Sequence, residues 1–563
     1  MRVFLKSLKS FLLLLAPITI FIVSSTREIN LPGPQMDELL KSTPIIKILD
    51  GSKESKMMPW FSDNFLSSTT RFPIFGGSLQ SGLFHTYLGI PLYKYFGITI
   101  TTLRINHMLY GVATIIILYF LLLNLVSEST AILTTTLLAL DPFYLISFRT
   151  QFHLLTNSMP FLLLGIFFVH RFVLSNTKKE KFQLKNSTAN NLFFAGIFFG
   201  IASYGYFVYL FLSFSFFIAF LIVFKNQVNL LNIKKSLFGF ALGFSPWIYG
   251  VLSNLYSEKL AFLKQALPMM GERPASYFDS LKFVLANTLD FLDASNFTEI
   301  VTGYKLCHSS NFLCSRSYIW LLFLISVVIY LIFQRLFNSK NFSHAEKIIY
   351  HLLITIFLYF LIIAFFGYRT STHHVMIIIP IMYSILGLAT QCFWSRTYTF
   401  NFIKFNYNFF LVSLFVFLSF TGFYQYDNFI KNLRRSGGSH HYSDSLYKLA
   451  SDLRSNNPGR IIFMDWGYLT PIYFLTKGDI DYQWAECAFF VERDDYFSLV
   501  YLKKYFEESK EPVITLIFDG ELKDDFLKKI AESKNYKLIN QGKYYQRDGK
   551  LTTTTLKLYK ISN

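Results

Sequence analysis

Apolar residues along this chain gather into long runs, and polar or basic stretches separate them. After an opening run at 11–25, further runs lie near 105–125, 129–147, 154–174, 191–204, 206–224, 236–255, 317–337, 348–366, 375–393 and 407–425. A helix needs about 20 mostly apolar residues to cross a bilayer, and each run comes close once tilt is allowed for. The block 191–224 is too long for one crossing and divides at Ser203–Gly205. The pattern predicts a polytopic α-helical membrane domain of about eleven transmembrane helices over residues 1–426.

Charge orients the runs. Arg2, Lys6 and Lys9 precede the first, as in a secretory signal, but no small-residue cleavage site follows, so a retained anchor with a cytoplasmic N-terminus is expected. Alternate crossings then put Lys178, Lys179, Lys181 and Lys185 inside, followed by Lys225, Lys234 and Lys235, by Lys340 and Lys347, and by Arg396 and Lys404. Basic inside loops are what the positive-inside rule requires. The same alternation places three segments outside: a loop at 26–102, a loop at 256–315, and everything from 427 to 563.

The first outside loop is not low in apolar residues. Ile45, Ile46, Ile48 and Leu49, then Leu83, Tyr87, Leu88, Leu92 and Tyr95, predict short amphipathic helices along the interface that cover a cavity. Beyond Asp427 the pattern shortens. Strands are expected at 460–466, 512–518, 536–540 and 553–561, with helices at 443–455, 496–509 and 521–533, making a small extracytoplasmic α/β domain.

Composition narrows the class. The 563 residues are 52% hydrophobic and 16% charged with a mean hydropathy of +0.37, which excludes a single soluble core. A net charge of +18 would suit nucleic acid, but Lys and Arg are spread between the runs and form no single patch. Four cysteines exclude a disulfide scaffold, although Cys307 and Cys314 share an outside loop where a bridge is chemically feasible.

Candidate chemistry begins at LPGPQMDELL, residues 31–40. Two prolines ahead of Asp37 and Glu38 let a short helix start near Gln35 with both carboxylates in its first turn, where unpaired N–H groups favour negative charge and lower a carboxyl pKa. Arg104, Arg149, Arg369 and His374 fall at outside ends of spans. Arginine suits phosphate through planar, bidentate contacts, but arginines at membrane ends also snorkel to headgroups. His373 and His374 are adjacent and diverge on a helix, which makes them poor ligands for one metal. DWG at 465–467 reads as a turn after a strand.

The order of these parts resembles the GT-C glycosyltransferases, and among them the family 39 type, which includes protein O-mannosyltransferases and the lipid A aminoarabinose transferase. The resemblance rests on the Asp-Glu pair and on SGLFHTYLGIPLYKYFGITITTLRINHMLYG (81–111), with Tyr87, Leu88, Pro91, Gly97 and Arg104 in the family's arrangement. GYRTSTHHVMIIIP (367–380) and MDWGYLTPIYFLTKGDI (464–480) add to it. It implies an inverting transfer of sugar from a polyprenyl-phosphate donor to a glycolipid, polysaccharide or protein acceptor on the outer face. Asp37 would be the base, Glu38 and Tyr87 would orient the acceptor, and Arg104, Arg149, Arg369 and His374 would hold the donor phosphate. No cofactor is implied, and a divalent cation is left open. The chain departs from the family in RTQFHLLTNSMP (149–160), which lacks a further acid; Asp141 is the nearest substitute. A transporter or a non-catalytic membrane scaffold would share the polytopic pattern without needing Asp37.

Overall fold

In the computed structural model the structure describes residues 2–50, 74–76, 81–150, 156–177, 185–258, 276–306, 316–337, 342–365, 372–394, 397–400, 403–456, 458–465, 467–480, 482–484, 512–521 and 536–561. Its helices are α1 (Arg2–Thr26), α2 (Met36–Leu40), α3 (Pro44–Leu49), α4 (Phe84–Phe96), α5 (Ile100–Leu123), α6 (Glu128–Ala139), α7 (Pro142–Ser147), α8 (Met159–Thr177), α9 (Lys185–Gly205), α10 (Val208–Phe224), α11 (Leu230–Glu258), α12 (Tyr277–Asp293), α13 (Ser295–Thr302), α14 (Arg316–Phe337), α15 (His344–Ile363), α16 (Thr372–Val375), α17 (Ile379–Phe393), α18 (Tyr407–Ser436), α19 (Ser445–Ser455) and α20 (Leu469–Leu475).

The protein is an integral membrane protein. Among the described residues the apolar runs are helical, and seven helical segments are long and apolar enough to cross a membrane. The expected count of eleven spans is not reached among them. The run at 129–147 shows why: it breaks into α6 and α7 at Asp141, whose side chain caps α7 by accepting from the Tyr144 N–H at 2.9 Å, with Pro142 at the first helical position. The buried Asp141 also takes an ion pair from Arg316 of α14 at 2.8 Å and a hydrogen bond from the Tyr383 hydroxyl of α17 at 2.8 Å. One carboxylate thus ties three helices, and an isolated charge there would be costly.

α9 and α11 pack backbone to backbone. A Cβ at Gly196 or Gly200 would strike the Ser236 or Phe240 carbonyl, and one at Gly239 or Gly243 the Phe193 or Ile197 carbonyl. Paired small residues four apart are the membrane device for close approach.

The C-terminal domain holds a mixed sheet of β3 (Arg460–Phe463), β4 (Tyr482–Trp484), β5 (Val513–Asp519), β6 (Tyr536–Tyr545) and β7 (Leu551–Lys560), following a hairpin of β1 (Thr397–Phe400) and β2 (Ile403–Asn406) in the membrane domain. The sheet order is β4-β3-β5-β7-β6, parallel from β4 to β5 and antiparallel beyond. The expected helices at 496–509 and 521–533 lie outside the described residues apart from Glu521. The boundary at 426/427 is not a break: α18 runs through it to Ser436, and Gly437 and Gly438 make the turn at positive φ.

The loop at 26–102 supplies α2, α3 and α4, so the expected short helices are present there. α2 is a wedge. Met36 and Leu40 pack against Leu446, Leu449, Leu453, Ile461 and Tyr468 of the C-terminal domain. Leu39 packs with Ile45, Ile46, Tyr93 and Leu103 on the membrane side. Just before it, the Gly33 N–H donates to the Tyr442 carbonyl at 2.6 Å, so close that a Cβ on Gly33 would collide with Ser443.

Candidate active site

Gln35 caps α2: its Oε1 accepts from the N–H of Asp37 at 2.6 Å and of Glu38 at 3.1 Å, while Glu38 Oε2 accepts from the Gln35 N–H at 3.4 Å. This reciprocal box sends the two acids different ways. Glu38, 1% exposed, turns inward to Arg104, 0% exposed; Nε and Nη2 of the guanidinium donate to its two oxygens at 2.7 and 2.9 Å, and Nη1 donates to the Ile29 carbonyl at 2.8 Å. Both members are therefore committed to each other. Arg104 holds α2 to the membrane domain through this pair and the Ile29 carbonyl.

Asp37 stays half-buried. Its carboxyl is pushed up to about 6 by burial, which outweighs the Gln35 hydrogen bond. The expectation of a lowered pKa is thus reversed, because five residues of helix offer little dipole against the surrounding low-dielectric mass. Its charge disfavours ionisation of the Tyr206 phenol, between α9 and α10.

Lys41 lies four residues after Asp37, on the same helical face. It is buried; Nζ donates to the Gly205 carbonyl at 2.9 Å and sits 4.9 Å from the Tyr206 ring centre. Desolvation holds its pKa well below the ordinary lysine value, so an anion arriving beside it would favour the charged form. The Tyr206 hydroxyl lies 3.4 Å from His374 Nε2, and the Tyr359 hydroxyl donates to the His374 carbonyl at 2.7 Å. Lys41 and His374, far apart in sequence, thus share Tyr206 as a neighbour.

The other candidates fall elsewhere. Arg149 Nη2 donates to the carbonyls of Ser25 and Arg27 at 2.5 and 2.6 Å, tying the loop to the end of α1. Tyr87 is half-buried on α4 beside Tyr204, and burial pushes its phenol up. Arg369 lies outside the described residues, as do Cys307 and Cys314. Asp141 is the ion-pair partner of Arg316.

No protein-family model and no curated protein sequence matches the chain. Solved structures do. ArnT from Cupriavidus metallidurans bound to undecaprenyl phosphate superposes with a TM-score of 0.60 over 97% of both chains at 10% identity. The oligosaccharyltransferase AglB from Archaeoglobus fulgidus, in complex with an inhibitory peptide and a dolichol-phosphate, gives 0.50 at 12% identity, covering 91% of this chain and 69% of that one. The chain shares the fold of that ArnT structure. In this chain Asp37 and Glu38 lie on α2, in the segment between α1 and α4. Lys41 and Tyr206 were not singled out: Lys41 belongs to no motif of the sequence reading, and Tyr206 lies at the break that divided 191–224. A further structure of that archaeal oligosaccharyltransferase is described as a complex with Zn and sulfate; in this chain no group of three or more His, Cys, Asp or Glu is gathered among the described residues.

Proposed function

We propose that this protein is a glycosyltransferase that moves a sugar from a polyprenyl-phosphate donor to an acceptor hydroxyl on the outer face of the membrane, with inversion. The observation that carries the reading is the pairing of Asp37, on α2, with Lys41, four residues on at the C-cap of that helix, where the buried lysine Nζ donates to the Gly205 carbonyl at 2.9 Å and lies 4.9 Å from the Tyr206 ring centre. The bound carriers of the ArnT and AglB structures support the donor class.

In the reaction Asp37 takes the acceptor's proton as its oxygen attacks the anomeric carbon. The bond from that carbon to the phosphate oxygen breaks on the opposite face, and the polyprenyl phosphate leaves with its charge met by Lys41. Tyr206 and His374 are placed to hydrogen-bond the phosphate or the sugar. Arg104 and Glu38 position α2. The N-terminus lies in the cytoplasm and the C-terminal domain outside, as the basic inside loops favour. A hollow of about 410 Å³ lies between the start of α5 and the C-terminal domain, lined by Asn30, Thr99, Thr101, Tyr447, Phe474 and Lys477 among others.

The test is Asp37→Asn in proteoliposomes fed polyprenyl-phosphate sugar. Transfer should vanish while carrier binding persists; transfer at the wild-type rate would remove Asp37 from the chemistry. Mass spectrometry of surface glycolipids and glycoproteins from a deletion strain would identify the acceptor.

A further inference from the structure

α5 is apolar enough to cross a membrane, yet Asn106, His107 and Tyr110 are buried on it. Thr156, Asn157 and Ser158, just ahead of α8, close over these residues. Asn157 Nδ2 and His107 Nδ1 lie 3.0 Å apart, and the His107 and His85 ring centres 5.7 Å apart. Four polar atoms in this seam are buried without a hydrogen-bond partner in the protein: the Tyr110 hydroxyl, Thr156 Oγ1, Asn157 Oδ1 and Ser158 Oγ. Folded chains leave few such groups unmatched, and four in one place point to a partner that is not part of the chain.

The seam reaches the candidate active site. Ser158 Oγ sits against Gly205, where a Cβ would strike it, and the Gly205 carbonyl is the acceptor for Lys41. From the other side Thr86 Oγ1 donates to the Lys41 carbonyl at 2.5 Å and lies 3.4 Å from His85 Nε2.

We propose that this seam seats the transferred sugar of the lipid-linked donor, and that the sugar is uncharged and rich in hydroxyls. The inference rests on the sugar-transfer reading of Asp37 and Lys41. Hydroxyl, amide and imidazole groups both give and accept hydrogen bonds, as sugar hydroxyls require. None of the residues named in the seam is an acid, and Asp37, the carboxylate of the adjoining site, is engaged with the acceptor's proton, so an ammonium sugar would find no counter-charge within the seam. A carboxylate sugar would compete with the phosphate for Lys41.

The test compares binding of four carriers to the full chain in lipid nanodiscs: bare polyprenyl phosphate, and the same carrier bearing glucose, aminoarabinose or glucuronic acid. The wild type should hold the glucose carrier at least about tenfold more tightly than the bare one. Tyr110→Phe and Thr156→Val delete unpartnered hydroxyls with little change of shape; each should weaken the glucose carrier roughly three- to tenfold, leaving the bare carrier and the unfolding temperature unchanged. Equal binding of the glucose and bare carriers, insensitivity to both variants, or preference for a charged sugar would overturn the assignment and leave the transferase reading standing. Failure to bind any carrier would instead remove the transferase reading.

Discussion

Titration of Asp37 should set the pH dependence of transfer. Its carboxyl moves from an ordinary 3.8 to about 6. A base must be ionised to accept a proton, so kcat/KM should climb about tenfold per pH unit below 6 and level off above it, with about a tenth of molecules competent at pH 5. The same rise has a stability cost. A carboxyl whose folded pKa is raised binds its proton more tightly folded than unfolded. It costs nothing below 3.8, and the penalty grows through the interval to reach its full size above 6. The gap of 2.2, from 6 − 3.8, corresponds to roughly 3 kcal/mol at most, and to about 1–2 kcal/mol once the carboxyl's remaining solvent contact is allowed for. Asp37→Asn should therefore lose transfer by roughly 10²- to 10⁴-fold and yet unfold at a higher temperature than the wild type at pH 8, the gain fading by pH 4. Transfer assayed in proteoliposomes from pH 4.5 to 8, beside thermal unfolding of both proteins, measures the two effects. A flat rate profile, a midpoint near 4, or an Asn variant less stable at pH 8 would refute the reasoning.

Glu38→Gln should unfold more readily by about 3–5 kcal/mol, because it strands the Arg104 guanidinium without its buried counter-charge; a variant as stable as the wild type in thermal melts would show that the pair is not what holds α2. Lys41→Met should raise the donor KM at least about tenfold while the protein melts no lower, since a desolvated ammonium is exchanged for an apolar chain of similar length; an unchanged KM would take Lys41 away from the phosphate. Asp141→Asn should lower the melting temperature and leave the donor KM unaltered, as Asp141 joins Arg316 and Tyr383; an altered KM at normal stability would reopen it as a functional acid.

The membrane domain was legible because bilayer thickness imposes one coarse rule on every span, and the described apolar runs are helical, seven of the segments long enough to cross. What that rule does not see is a local interruption such as Asp141-Pro142, where a capping side chain ends one helix and starts another within an apolar run. At the site, Asp37 and Glu38 could be found from their place after the prolines, and Arg104 from its motif. Their division of labour could not, because it depends on which acid faces the buried guanidinium. A fully buried arginine in an apolar span demands a partner, and Glu38 was an acid within the same group of motifs; weighing that demand would have separated the two roles. Lys41 and Tyr206 converge only through the packing of α2 against the turn between α9 and α10, which no local pattern encodes.

The wedge seat of α2 has a consequence for biogenesis. A helical turn of five residues has almost no stability alone, and part of its packing comes from Leu446, Leu449, Leu453 and Tyr468, which are synthesised long after it. A nascent protein that has inserted its spans but not yet added those residues would carry Asp37 on an unformed turn. Such a chain would be inert toward lipid-linked sugar, so competence would arrive only with that segment. Ribosome-stalled chains ending before residue 440 should accordingly transfer nothing until the missing segment is supplied in trans.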